Sequence, residues 1–111
     1  MFSFLRRLGT PHIDVDELDG LLKQGAVHLL DVREESEFKS GHVRGAVNIP
    51  VKKLPERVGR LKRDRPYAVI CESGNRSQSA TNFLLDQGFD GTVSVQGGTS
   101  AWARSGRAIV Q

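Results

Sequence analysis

The feature that most constrains this chain is an alternation of short, β-branched apolar runs with stretches of helical periodicity. Residues 27–32 (VHLLDV), 46–49 (AVNI), 67–71 (YAVIC) and 93–96 (VSVQ) each read as a buried strand, and 12–15 as a short opening strand. Helical stripes lie between them. Residues 16–24 carry Leu18, Leu21 and Leu22 and stop at Gly25. Residues 34–39 stop at Gly41, and 50–61 carry Val51, Leu54, Val58 and Leu61. Residues 77–87 carry Ala80, Phe83 and Leu84 and stop at Gly88, and 98–105 hold Ala101 and Trp102. Strands alternating with helices predict an α/β fold whose sheet is mostly parallel and covered on both faces. In such sheets ligands bind beyond the carboxyl ends of the strands, so the loop after each strand is where function is expected.

A chain of 111 residues makes one domain. Residues 1–11 read as an N-terminal arm and 12–111 as the domain, with no linker or repeat between. In the arm, Phe2, Phe4, Leu5 and Leu8 are interrupted by Arg6 and Arg7, the reverse of a signal peptide's order. It reads as a packed or frayed segment. Nothing approaches the ~20 apolar residues of a membrane span. The single cysteine excludes an internal disulfide, and the three histidines stand at no metal-ligand spacing. Cytoplasmic residence is expected. The net charge of +3 is uneven, with 6 basic and 8 acidic residues in 1–50 but 10 basic and 5 acidic in 51–111. The basic half holds the cysteine, and a positive field there draws small anions, although solubility alone accounts for such a balance.

That cysteine, Cys71, ends a strand and is followed by Glu72, Ser73, Gly74, Asn75, Arg76 and Ser77 before a helix begins. A tight loop turns backbone N–H groups toward one point, and the helix N-terminus adds its positive dipole end. A sulfur at that point is favoured as thiolate, the reactive form. Gly74 permits backbone conformations closed to other residues. Arg76 offers a charged fork for an oxyanion, and Ser77 is a plausible helix cap. An isolated buried cysteine is often inert packing. A glycine, an arginine and a helix start within six residues argue otherwise.

Four segments, in order and spacing, resemble the rhodanese-like domain family: 29–34 (LLDVRE), 37–50 (EFKSGHVRGAVNIP), 69–77 (VICESGNRS) and 95–102 (VQGGTSAW). The resemblance spans about residues 13–110. It implies a three-layer α/β domain around a mostly parallel five-stranded sheet, and a sulfurtransferase. Cys71 would attack the outer sulfur of a small anionic donor such as thiosulfate, or of a persulfide, and hold the sulfur as its own persulfide. Loop residues 72–77 would cradle it, and Arg76 would hold the anion. The acceptor would be cyanide, a thiol or a sulfur-accepting protein. No metal or organic cofactor is needed. The alternative is a sulfur carrier or docking module with little turnover of its own.

Cell-cycle dual-specificity phosphatases use a related loop with five residues between cysteine and arginine. Here there are four, a tighter ring that suits a terminal sulfur better than a phosphoryl group. An arsenate reductase acting within one chain would need a second cysteine. Glu72 is the awkward residue, because a carboxylate beside the nucleophile opposes thiolate formation. Asp31 and Arg33, at another strand end, either support the site or form a structural ion pair, and the pair is the preferred reading. His42 and Asn48 read as turn chemistry, Gly97 and Gly98 as a close backbone approach, and Trp102 as a core anchor. The basic stretch 52–65 reads as a solvated face. It lacks the interleaved aromatic residues of a nucleic-acid binder, so no nucleic-acid partner is expected.

Overall fold

The computed structural model describes residues 9–111, so most of the expected 1–11 arm lies outside the described residues. Of its end, the Pro11 carbonyl accepts from Ser94 N at 2.9 Å. The elements alternate as expected. They are β1 (His12–Ile13), α1 (Val15–Lys23), β2 (His28–Asp31), α2 (Glu35–Ser40), β3 (Val47–Asn48), β4 (Tyr67–Ile70), α4 (Asn75–Asp86), β5 (Val93–Val95) and α5 (Gly98–Arg104), with a short α3 (Leu54–Arg57) between β3 and β4. The five strands form one parallel sheet in the order β1-β5-β4-β2-β3.

Both faces of the sheet are covered, which is why its strands read as continuous apolar runs. Leu30, Val32, Tyr67 and Val69 pack with Ala80, Leu84 and Phe89 on one side. Leu29, Ala68, Ile70 and Val95 pack with Leu18 and Trp102 on the other. The alternation along β2 and β4 thus splits the core into two layers. At the start of α1, Asp14 Oδ1 accepts from Glu17 N at 2.8 Å, while Glu17 Oε1 accepts from Asp14 N at 3.0 Å. This reciprocal cap fixes where the helix begins.

Two expectations change. The helix read over 50–61 is broken into a 3-10 turn (Val51–Lys53), α3 and a second 3-10 turn (Val58–Arg60). Pro55 lacks the N–H that a helix continuing from residue 50 would use, so the α-helix starts only at Leu54, with Pro55 in its first turn where that N–H is not needed. The helix after Cys71 begins at Asn75 rather than Ser77, with Gly74 preceding it at φ 108°. This left-handed turn is open to glycine at little cost. It places Ser77 inside the first turn, where it cannot cap the helix. Among the described residues, no helix is long and apolar enough to cross a membrane.

Candidate active site

β2, β3, β4 and β5 run the same way, so their carboxyl ends gather at one edge. Asp31 lies in register with Ile70 and with Asn48. Cys71 follows Ile70 directly and is only 1% exposed. Its Sγ accepts Gly74 N–H at 3.1 Å and Ser77 N–H at 3.3 Å. These are amides at the start of α4, and they complement negative charge on the sulfur. The thiol donates to Ser77 Oγ at 3.6 Å. Ser77 Oγ in turn donates to the Gly74 carbonyl at 3.1 Å and lies 2.7 Å from Ser94 Oγ on β5. Both serines are buried, so a pair of enclosed hydroxyls underlies the sulfur.

The other side of the loop is held by α5. Thr99 N and Thr99 Oγ1 donate to the Cys71 carbonyl at 2.8 and 3.1 Å, and Ser100 N donates to the Glu72 carbonyl at 3.0 Å. This needs Gly98, whose Cβ, were there one, would lie 2.4 Å from the Cys71 carbonyl oxygen. The close backbone approach expected at Gly97–Gly98 is therefore present. With its carbonyls tied to α5, the loop turns its amides toward the sulfur.

Of the residues singled out from sequence, Cys71, Gly74 and Ser77 come together. The side chains of Ser73 and Asn75 are exposed and make no contact with the sulfur among the described residues. Glu72 also turns away. Its carboxylate takes Arg33 Nη1 at 3.3 Å and Ser100 Oγ at 2.6 Å. Asp31 and Arg33 form a buried pair, with Arg33 Nη2 2.9 Å from Asp31 Oδ2 and 2.7 Å from the Gly41 carbonyl. Burial works against the Arg33 charge, but the hydrogen bonds and charge of Asp31 prevail and its pKa moves up. Asn48 ties this turn down by donating to the carbonyls of Asp31 and Arg33, both at 2.9 Å. His42 Nδ1 lies 2.8 Å from the Phe38 carbonyl and its ring stacks on Phe38, a structural role.

Arg76 is not free. Its Nη1 and Nη2 meet Glu37 Oε1 and Oε2 at 2.7 and 3.0 Å. The hydrogen bonds from Arg76 hold the Glu37 carboxyl at about 2, against a partial burial that works the other way. The same bonds push the Arg76 pKa up, to which the nearby Cys71 adds. Sequence reasoning passed over both Glu37 and Ser94. Neither carries a local signal: Glu37 lies within the helix read over 34–39, and Ser94 within the buried strand read over 93–96. The uneven charge along the chain does not carry over to the loop, since α2 brings Glu37 of the acidic half to Arg76. An open depression of about 470 Å³ lies beside it, lined in part by Arg33, Glu37, Glu72, Ser100 and Arg104. A cavity of about 480 Å³ near His28 and Tyr67 opens at the other end of the strands, away from Cys71.

The Rhodanese-like domain family matches residues 14–105, which takes in every strand end and loop just described except β1. The chain belongs to the rhodanese-like domain family. This rhodanese-like domain is 37% identical over 91 residues to the thiosulfate sulfurtransferase GlpE of Shewanella oneidensis, covering 82% of this chain and 90% of that protein. Its fold matches a crystal structure of a rhodanese-related protein from Thermoplasma volcanium with a TM-score of 0.84 and 39% identity, over 90% of this chain and 97% of that one. The human single-domain sulfurtransferase TSTD1 aligns with a TM-score of 0.77 and 27% identity, over 86% and 97%. The protein is a rhodanese-type sulfurtransferase.

Proposed function

We propose that residues 12–111 form a sulfurtransferase domain in which Cys71 carries sulfane sulfur as a persulfide. The observation that carries this reading is the pair of N–H groups, from Gly74 and Ser77, directed at a sulfur whose own carbonyl is held by α5. Thiosulfate is the first donor to test, because GlpE of Shewanella oneidensis is named for it. The Cys71 thiolate attacks the outer sulfur of the donor. The sulfur–sulfur bond of thiosulfate breaks, sulfite leaves with the electron pair, and Cys71 is left as Sγ–S⁻. Cyanide or a thiolate then attacks the terminal sulfur, and thiocyanate or a new persulfide departs as the Cys71 thiolate is restored. No electrons are lost overall. The loop amides of residues 72–77 stabilise the negative charge at both stages, Arg76 bears on the anionic donor at the mouth, and the Asp31–Arg33 pair holds the neighbouring turn in place.

The test is thiocyanate formation from thiosulfate and cyanide, with Cys71→Ala beside the unaltered protein. The expected result is turnover that the substitution abolishes while the fold persists. Activity retained in Cys71→Ala would sink the mechanism. A single gain of one sulfur on Cys71 without turnover would move the reading to a carrier that waits for a protein acceptor.

A further inference from the structure

The cations nearest the reactive loop are already neutralised. Arg33 is paired with Asp31 and Glu72, and Arg76 is paired end-on with Glu37. Two guanidinium groups thus share three carboxylates. Arg104, on the far rim of the depression, is exposed to solvent and its charge is correspondingly screened.

Glu37 is not a casual partner. It comes from α2, far from Arg76 in sequence, and its Oε1 also accepts Glu34 N–H at 3.0 Å. That second bond fixes the carboxylate at the start of α2, and both of its oxygens face the arginine fork. A bidentate carboxylate held at both ends is a stiff clamp. It occupies two of the arginine's five donors and cancels its formal charge. The clamp stands at the start of α4, one residue before the Ser77 N–H that meets the nearly enclosed sulfur, with side chains 39% and 33% exposed.

We propose that Glu37 is a specificity-determining residue: by clamping Arg76 it cancels positive charge at the mouth and sets the site against doubly charged sulfur donors relative to less charged ones. This rests on the sulfurtransferase reading above. Two other roles are distinguishable from it. A plain brace between α2 and α4 would affect all reagents alike. An orienting role, in which Glu37 aims Arg76 at the donor, would make its loss weaken donor binding.

The experiment compares Glu37→Gln with the unaltered protein at low ionic strength. Cys71 is alkylated with iodoacetate, which is anionic, and with iodoacetamide, which is neutral and of similar size. Their rate ratio reads the field at the sulfur. We expect the ratio to rise about three-fold in Glu37→Gln and to fall back on adding salt, and the thiosulfate KM to fall about five-fold while kcat moves less. Glu37→Asp, which keeps the charge, should keep the original ratio. Equal changes with both reagents, or a thiosulfate KM that rises, would overturn the proposal. Absent thiocyanate formation in the unaltered protein would count against sulfur transfer, whereas the alkylation ratio would still decide the clamp.

Discussion

Two arginine–carboxylate pairs flank the sulfur, and they sit in opposite surroundings. Asp31–Arg33 is enclosed, with side chains 0% and 4% exposed, and its guanidinium is also bound to a backbone carbonyl. Glu37–Arg76 lies at the mouth, where water reaches both partners. An enclosed charge must keep its partner, because nothing else can solvate it. A charge at the mouth can exchange its partner for water, salt or an anion. The same chemical pair is therefore a fixture in one place and an adjustable element of the field in the other.

Substitutions can break this contrast or sharpen it. The largest effect is expected from Asp31→Ala, which strands Arg33 in the interior and costs about 3–5 kcal/mol, read from the shift in urea unfolding. A loss below about 1 kcal/mol would show that the buried pair is as dispensable as the exposed one. Arg76→Ala should raise the thiosulfate KM about ten-fold, near 1.4 kcal/mol, while leaving unfolding nearly unchanged. A KM left where it was would remove Arg76 from donor binding. The third effect is seen in acid. The Glu37 carboxyl is held at about 2 against an ordinary 4.5, so the stabilisation is complete above 4.5 and is lost as the pH falls toward 2. After solvent screening this amounts to about 1 kcal/mol, and Glu37→Gln should flatten the stability curve across that window. An identical acid limb in the variant would mean that the pair does not stabilise the fold. Smallest is Glu72→Gln. Its carboxylate is half-exposed, and about 0.5 kcal/mol or less is expected in the same unfolding measurement.

The sheet was legible in the sequence because burial on both faces leaves an unbroken apolar run, as in Tyr67–Ile70. The loop that bends around Cys71 was legible because its parts are adjacent along the chain, from Cys71 to Ser77. What escaped was everything that reaches the loop from a distance. Glu37 meets Arg76 across 39 positions, and no local pattern marks that meeting. Ser94 stands in a strand read as buried, but a single serine between two valines does not say which partner its hydroxyl meets. With both faces of the sheet covered, its hydroxyl is enclosed against Ser77, which lies 17 positions away. The broken helix of 50–61 shows the reverse error, since the apolar stripe was real but Pro55, without an N–H, fits only the first turn of a helix that starts at Leu54.

The approach of α5 to the loop after Cys71 bears on how charge would be accommodated in the proposed sulfur transfer. At Gly98 there is no side chain to hold the two backbones apart, and Thr99 and Ser100 fasten the carbonyls of Cys71 and Glu72. In the proposed sulfur transfer, loading would move negative charge outward by one S–S bond, about 2 Å. In water such a displacement would drag a shell of dipoles into a new orientation. Here the dipoles nearest the sulfur are amides of a loop pinned from behind, and they have little freedom to reorient. In the proposed cycle, loading and unloading would then need little rearrangement of the dipoles around the sulfur.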